Sequence, residues 1–249
     1  MWLVLCDASD MSGLWVHQEL RARGVAPLEL ITADALSMAD YWEHRIAGER
    51  ASIRFRVDNL DIAGEQLRGV VNRLYTVPIP HWRSAEQRDR DYVQQELIAL
   101  FLSWLHALPC PVVNRPTPQG LSGQWRAESE WALLAHKAGL PVAPYRQGAH
   151  DRIDEMKGEK RLVPWGTLVQ TIIVVGDTVA GADIPQPLAA ACRSLAQLAG
   201  TELLGIDFIA GDAGSLTFAG ATPMPYLTLG GPALIEGLCR HLAMHDGVA

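Results

Sequence analysis

The sequence predicts an α/β protein: an N-terminal domain on an open parallel sheet over residues 1–120, followed by an α+β half over residues 121–249. Three observations lead there. Short apolar runs alternate with amphipathic stretches as far as about residue 120, the pattern of strands joined by crossover helices. The second half instead carries a hairpin, a helix and a second hairpin in that order. The composition, 49% hydrophobic and 20% charged, suits a packed core and excludes a disordered or fibrous chain.

The elements run in order along the chain. Residues 2–6 form an apolar run of strand length, the mark of a strand buried on both faces. Leu14, Val16 and Leu20 begin a helix that runs through Arg23 and ends at Gly24. Residues 28–31 are a second strand. Alternation over residues 51–57 predicts a half-exposed strand at a sheet edge. Residues 69–74 are another strand, ending in the loop 76–80. The longest helix runs from 85 to 108, with Tyr92, Leu97, Leu100, Phe101 and Leu105 on its apolar side. Pro109 and Pro111 bracket its end, and residues 111–114 return to the sheet. In the second half a helix over 124–138 stops at Gly139, and residues 140–145 are extended. Residues 147–161 are polar and read as a loop. A strand over 167–175 turns at Gly176-Asp177, a two-residue hairpin turn with Gly first. A helix over 187–198, strands over 203–209 and 215–218 around the turn 212–214, and a helix over 232–244 complete the chain.

Charge and cysteines narrow the classes. The net charge of −7 and the isoelectric point near 5.6 argue against a nucleic-acid or anionic-membrane binder. Cys6, Cys110, Cys192 and Cys239 have no paired spacing, which fits a reducing cytoplasm and excludes a cysteine-rich zinc site. Met1-Trp2-Leu3-Val4-Leu5 has no basic stretch before it and reads as a strand rather than a signal peptide. No apolar run reaches membrane-spanning length. His241 and His245 are the one histidine pair at helical spacing, and they read as a solvated chain end.

Candidate binding residues cluster at strand ends. Asp7 and Ser9 follow the first strand at its carboxyl end, where open α/β sheets bind ligands. Helix capping, assigned to Ser12, is the simpler role for that turn. Asn72 and Arg73 end the fourth strand, and Asn114 and Arg115 the next. An arginine there can hold a carboxylate or phosphate, or simply a salt bridge. No glycine-rich dinucleotide motif and no nucleophile elbow is present. Cys6 reads as a core thiol.

Three stretches carry a resemblance. Residues 114–144 hold a helix followed by Ala138-Gly139-Leu140-Pro141-Val142-Ala143-Pro144. Residues 170–180 hold strand, glycine turn and strand. Residues 195–225 hold a helix, Leu204-Gly205-Ile206-Asp207-Phe208, a hairpin and the corner Pro223-Met224-Pro225. Together they resemble the ATP-grasp superfamily, in the branch of the ribosomal-protein S6 glutamate ligases. The resemblance implies a pre-ATP-grasp domain over 1–120 and a reduced ATP-grasp domain over 121–249. It also implies chemistry that joins a carboxylate to an amine through an acyl phosphate. ATP then lies between two lobes, with lysines on its phosphates and carboxylates on magnesium.

The chain departs from that pattern twice. Between residues 145 and 167 the family places a small lobe with two phosphate-binding lysines. Here Lys157 and Lys160 are the nucleotide-binding candidates in that gap, with a solvated loop as the simpler reading. Asp207 matches the family's first metal carboxylate. The next ligands, a Glu and an Asn, fall by register on Pro225 at Gly220 and Thr222. Asp207 is therefore expected as a structural group near a strand edge. The resemblance implies ATP and Mg²⁺ as cofactors, and the depleted ligands argue against both. The residues thus point to a degenerate ATP-grasp-like protein, a non-catalytic partner or regulatory subunit of an ATP-dependent carboxylate–amine ligase. Ligation with replaced ligands and a small-molecule-binding module are the alternatives. An oligomer, with itself or with a full-length ATP-grasp protein, is expected because the strand 168–175 is apolar on both faces. Pro164, Trp165 and the loop 147–166 would anchor it.

Overall fold

A computed structural model describes residues 1–48, 50–144, 169–211 and 215–243. Lys157, Lys160, Pro164, Trp165, Leu168 and His245 therefore lie outside the described residues, as do the loop 147–166 and the turn 212–214. The chain divides into two compact units, residues 1–124 with 238–249, and residues 125–237.

In the first unit, β1 (Trp2–Cys6) is fully buried and lies between two parallel neighbours, β2 (Leu28–Thr32) and β6 (Gly69–Arg73). With β7 (Val112–Val113) they form a parallel sheet in the order β2-β1-β6-β7. Burial on both faces is why β1 reads as an unbroken apolar run. Helix α1 (Met11–Ala22) starts at Asp10, whose carboxylate accepts from the Ser12 amide at 3.1 Å. The cap is thus Asp10 rather than Ser12. The short helix α2 (Ala33–Ser37) follows β2 directly.

The next three strands depart from the expected single edge strand. Strands β3 (Tyr41–Ala47), β4 (Arg50–Val57) and β5 (Leu60–Ala63) form a separate antiparallel sheet with β4 in the middle. The alternation in β4 does not mark an edge. It marks one face on the core, with Ile53, Phe55 and Val57 buried, and one face in solvent, which a central antiparallel strand shows equally well. Phe55 stacks on Trp42 with centroids 4.7 Å apart, and both meet Trp104 of helix α3 (Gln87–Ala107). Phe101, Trp104 and Leu105 are the buried residues of α3. Tyr92 is not on that stripe: it is 64% exposed, because helical spacing puts it on the face of Gln95 and Glu96.

The second unit holds α4 (Glu128–Lys137), β8 (Val169–Val175), β9 (Thr178–Gly181), α5 (Gln186–Ala199), β10 (Leu203–Ala210), β11 (Leu216–Thr222) and the start of α6 (Gly231–Ala243). Its sheet is antiparallel in the order β11-β10-β8-β9. Val175 pairs with Thr178 around the expected turn, where Gly176 has φ +51°. On one face Ile172, Val174, Leu204, Ile206 and Phe208 pack against Trp131, Cys192 and Leu195. On the other, α6 comes so close that a Cβ on Gly237 would meet Val175 at 2.7 Å. Ile172 to Val175 are 0–1% exposed. The uncovered apolar face expected of this strand is therefore not present along residues 172–175, since helices cover both sides. Within β8 the exposed large apolar residue is Val169, at the strand's start.

From Leu238 onward, α6 belongs to the first unit. There Leu242 lies over Gly69 beside Trp2: a Cβ on Gly69 would run into the Trp2 ring and sit 3.0 Å from Leu242.

Candidate functional site

Two places hold the candidate residues, one in each unit. The first is the carboxyl edge of the parallel sheet. Asp7 leaves β1 half-buried and Ser9 is exposed. Burial, and next the charge of Asp10, hold the Asp7 carboxyl above the usual range, against a weak hydrogen bond donated by Thr76 at 3.5 Å. Arg73 forks onto Asp10, with Nε to Oδ2 at 2.6 Å and Nη2 to Oδ1 at 3.1 Å. The two side chains are 5% and 15% exposed. Asn72 is buried and donates to the carbonyls of Asn114 at 2.9 Å and Leu121 at 2.6 Å, while its Oδ1 accepts from the Leu74 amide. Arg115 closes the end of α3 by donating to the carbonyls of Leu105, His106 and Cys110. Asn72, Arg73 and Arg115 thus hold the chain itself, and Asn114 is buried. Asp7, Ser9 and Arg115 are the candidates that reach the surface, and Arg115 is engaged with backbone carbonyls. Burial, and next Asp10, push the Cys6 thiol up to about 12, so it carries no thiolate at neutral pH.

A roomier cavity of the same unit lies elsewhere. A groove of about 640 Å³ runs between the β3–β4 turn, α3 and the loop 116–118, lined by Ile46, Ala51, Leu102, His106, Pro116 and Pro118. Nothing in the sequence announced it, because its walls come from three segments far apart in the chain.

The second place is a row of residues across the sheet of the other unit. Asp207 is on β10, an interior strand rather than an edge. Its partners are Thr171 on β8 and Gly220 on β11. Thr171 Oγ1 donates to Asp207 Oδ1 at 2.6 Å. A bulge follows between Asp207 and Phe208, as the pairing jumps from Gly220 to Phe218. The next row on that face is Ile173, Gly205 and Thr222. Gly205 has a steric reason to be glycine: a Cβ there would meet Pro225 at 2.5 Å. The Thr222 hydroxyl accepts from the Met224 amide at 3.1 Å. The strand glycine and the proline corner, both visible in the sequence, therefore fit each other.

Magnesium does not fit this row. It wants hard oxygen ligands at near-octahedral geometry. Of the three positions the resemblance assigns, Asp207 alone offers a carboxylate, and Thr171 already occupies one of its oxygens. Among the described residues no group of three or more His, Cys, Asp or Glu could hold a metal ion.

No family model matches the chain, and no curated protein matches it in sequence. Solved structures do match. The macrocyclase MdnB from Microcystis aeruginosa MRC superposes with a TM-score of 0.69 at 15% identity, over 97% of this chain and 98% of that one. The RiPP-associated ATP-grasp ligase of Chryseobacterium gregarium, in complex with ADP and a leader and core peptide, gives 0.72 at 12% identity, over 98% and 96%. The chain has the ATP-grasp fold. A weaker likeness, to D-alanyl-alanine synthetase A of Vibrio cholerae, gives 0.52 at 9% identity over 100% and 98%. Among the described residues no helix is long and apolar enough to cross a membrane.

Proposed function

We propose that this ATP-grasp-fold chain is a non-catalytic partner or regulatory subunit of an ATP-dependent carboxylate–amine ligase. One observation carries the reading: in the row Thr171–Asp207–Gly220, the lone carboxylate is bonded to a hydroxyl and faces a residue with no side chain. Making an acyl phosphate requires the charge of the transferring phosphoryl group to be neutralised, which magnesium does between nucleotide and carboxylates. The retained backbone suits a scaffold, and the lost side chains remove the chemistry. Among the matching structures, the Chryseobacterium gregarium ligase is in complex with a leader and core peptide and the macrocyclase MdnC is bound with a precursor peptide, which supports a peptide as the substrate class of the partner enzyme. Asp7 and Ser9 remain the proposed small-ligand contacts of the first unit, at the strand end where α/β sheets bind ligands.

Titration calorimetry of the purified chain with Mg²⁺-ATP is expected to show no binding in the micromolar range. A micromolar, magnesium-dependent Kd would overturn the non-catalytic reading. Light scattering of the chain mixed with an ATP-grasp ligase encoded beside it is expected to show a complex. A 27.2 kDa monomer alone and in the mixture would overturn the partner reading.

A further inference from the structure

We infer that the first unit binds a small apolar alcohol, with its hydroxyl in the cavity shared by His44 and Trp104 and its hydrocarbon body along the groove beside Leu102. The inference goes beyond the non-catalytic reading and does not rest on it.

Two buried polar atoms of this unit lack partners. Trp104 is 0% exposed and packs against Trp42 and Phe55. Among the described residues its Nε1–H finds no acceptor. His44 on β3 lies opposite the buried Ile53 of β4, which puts it on the core face of that sheet. Its Nε2 is buried and likewise has no partner. A buried indole N–H normally finds an acceptor. A phenylalanine would join the same ring cluster with no N–H to satisfy.

Both side chains line one cavity of about 80 Å³, whose wall also includes Ile53, Glu65 and Leu108. Ala51 and Ala107 line this cavity and also the groove of about 640 Å³ between the β3–β4 turn, α3 and the loop 116–118. The two spaces adjoin at these two small side chains. Together they have the makeup of a small-molecule site, a mostly apolar lining with a few polar groups that fix orientation.

The polar atoms select the head group. An indole N–H only donates, and an imidazole with its proton on Nδ1 accepts at Nε2. A hydroxyl answers both, accepting from Trp104 and donating to His44. A carboxylate suits the place less well, because burying a charge is costly and Glu65 stands on the same wall. The groove offers Ile46, Leu102, Pro116 and Pro118 to the hydrocarbon part, and burial of that surface drives binding.

The test titrates 2-naphthol, a rigid two-ring alcohol, into the full chain by calorimetry. One molecule is expected to bind per chain, about tenfold or more tightly than naphthalene or 2-naphthoate, since only the alcohol satisfies both buried atoms. Trp104→Phe and His44→Phe keep a ring and remove the polar atom. Each is expected to weaken 2-naphthol binding about tenfold and to leave naphthalene binding unchanged. Leu102→Trp, at a half-buried position on the groove wall, is expected to block binding. No binding of 2-naphthol to wild type at millimolar concentration would overturn the inference. So would equal binding of naphthalene, undiminished binding in folded Trp104→Phe and His44→Phe, or undiminished binding in Leu102→Trp. If neither ring variant folds, the comparison with naphthalene and the Leu102→Trp result decide. None of these outcomes touches the non-catalytic reading.

Discussion

Asp10 does two jobs at once: it caps α1 through the Ser12 amide and neutralises Arg73. Replacing it with alanine leaves a nearly buried guanidinium without its carboxylate. Asp10→Ala is expected to cost about 3 kcal/mol or more in urea unfolding, from a broken buried pair and a lost cap. Less than about 1 kcal/mol would show that the pair is solvated and weak. Asp7 beside it gives the opposite sign. Its carboxyl is raised by burial and by Asp10, so the folded state holds that proton more tightly than the unfolded chain does. The benefit is complete below the ordinary carboxyl value of 3.8 and is lost as pH rises through the raised one. Asp7→Asn is therefore expected to raise the melting temperature at pH 7 and to leave it unchanged near pH 3. A fall at pH 7 would refute that. The sequence showed that these residues sit at strand ends, since turn formers follow apolar runs. It could not show what they hold. Arg73 finds its carboxylate 63 residues away, and Asn72 its carbonyls 42 and 49 residues away.

At the scale of elements, strands with an even, distinctive pattern were legible, and the small antiparallel sheet was not. β1, β2, β6 and β10 stand out as apolar runs. β3 reads Tyr-Trp-Glu-His-Arg-Ile-Ala, with charges interrupting the alternation, and has no fully buried residue. One mark of the meander was available. Asp58-Asn59 joins β4 to β5 with φ of +47° and +68°, as a two-residue type I′ turn demands and as Asp and Asn tolerate. Helix packing gives a test in the second unit. Helix propensity alone favours Gly237→Ala by up to about 1 kcal/mol. Yet the added methyl would meet Val175 at 2.7 Å and Thr178 at 2.8 Å. The variant is expected to be destabilised by about 1–3 kcal/mol, the range for overpacking. A gain in stability would mean that α6 shifts freely over β8 and β9.

At the scale of the molecule, the fold was legible and the activity was not, for one reason. The marks of the fold are backbone matters such as the fit of Gly205 under Pro225. The marks of the chemistry are side chains, and of the expected metal positions only Asp207 keeps its carboxylate. A thermal-shift experiment reads this on the whole chain. A ligand at a hundred times its Kd adds about 2.7 kcal/mol, worth several degrees in a protein of this size. Millimolar Mg²⁺-ATP is expected to leave the melting temperature where it was, and a rise of several degrees would contradict the proposed function. The first unit also has a history written into it. Leu242 packs at Gly69 next to the Trp2 ring, so the packing around the sheet that Trp2 opens includes a residue made after the whole of the second unit. On the ribosome the first unit lacks that contact while the second is synthesised. A stop codon before residue 238 would be felt at Trp2, on the other side of everything in between.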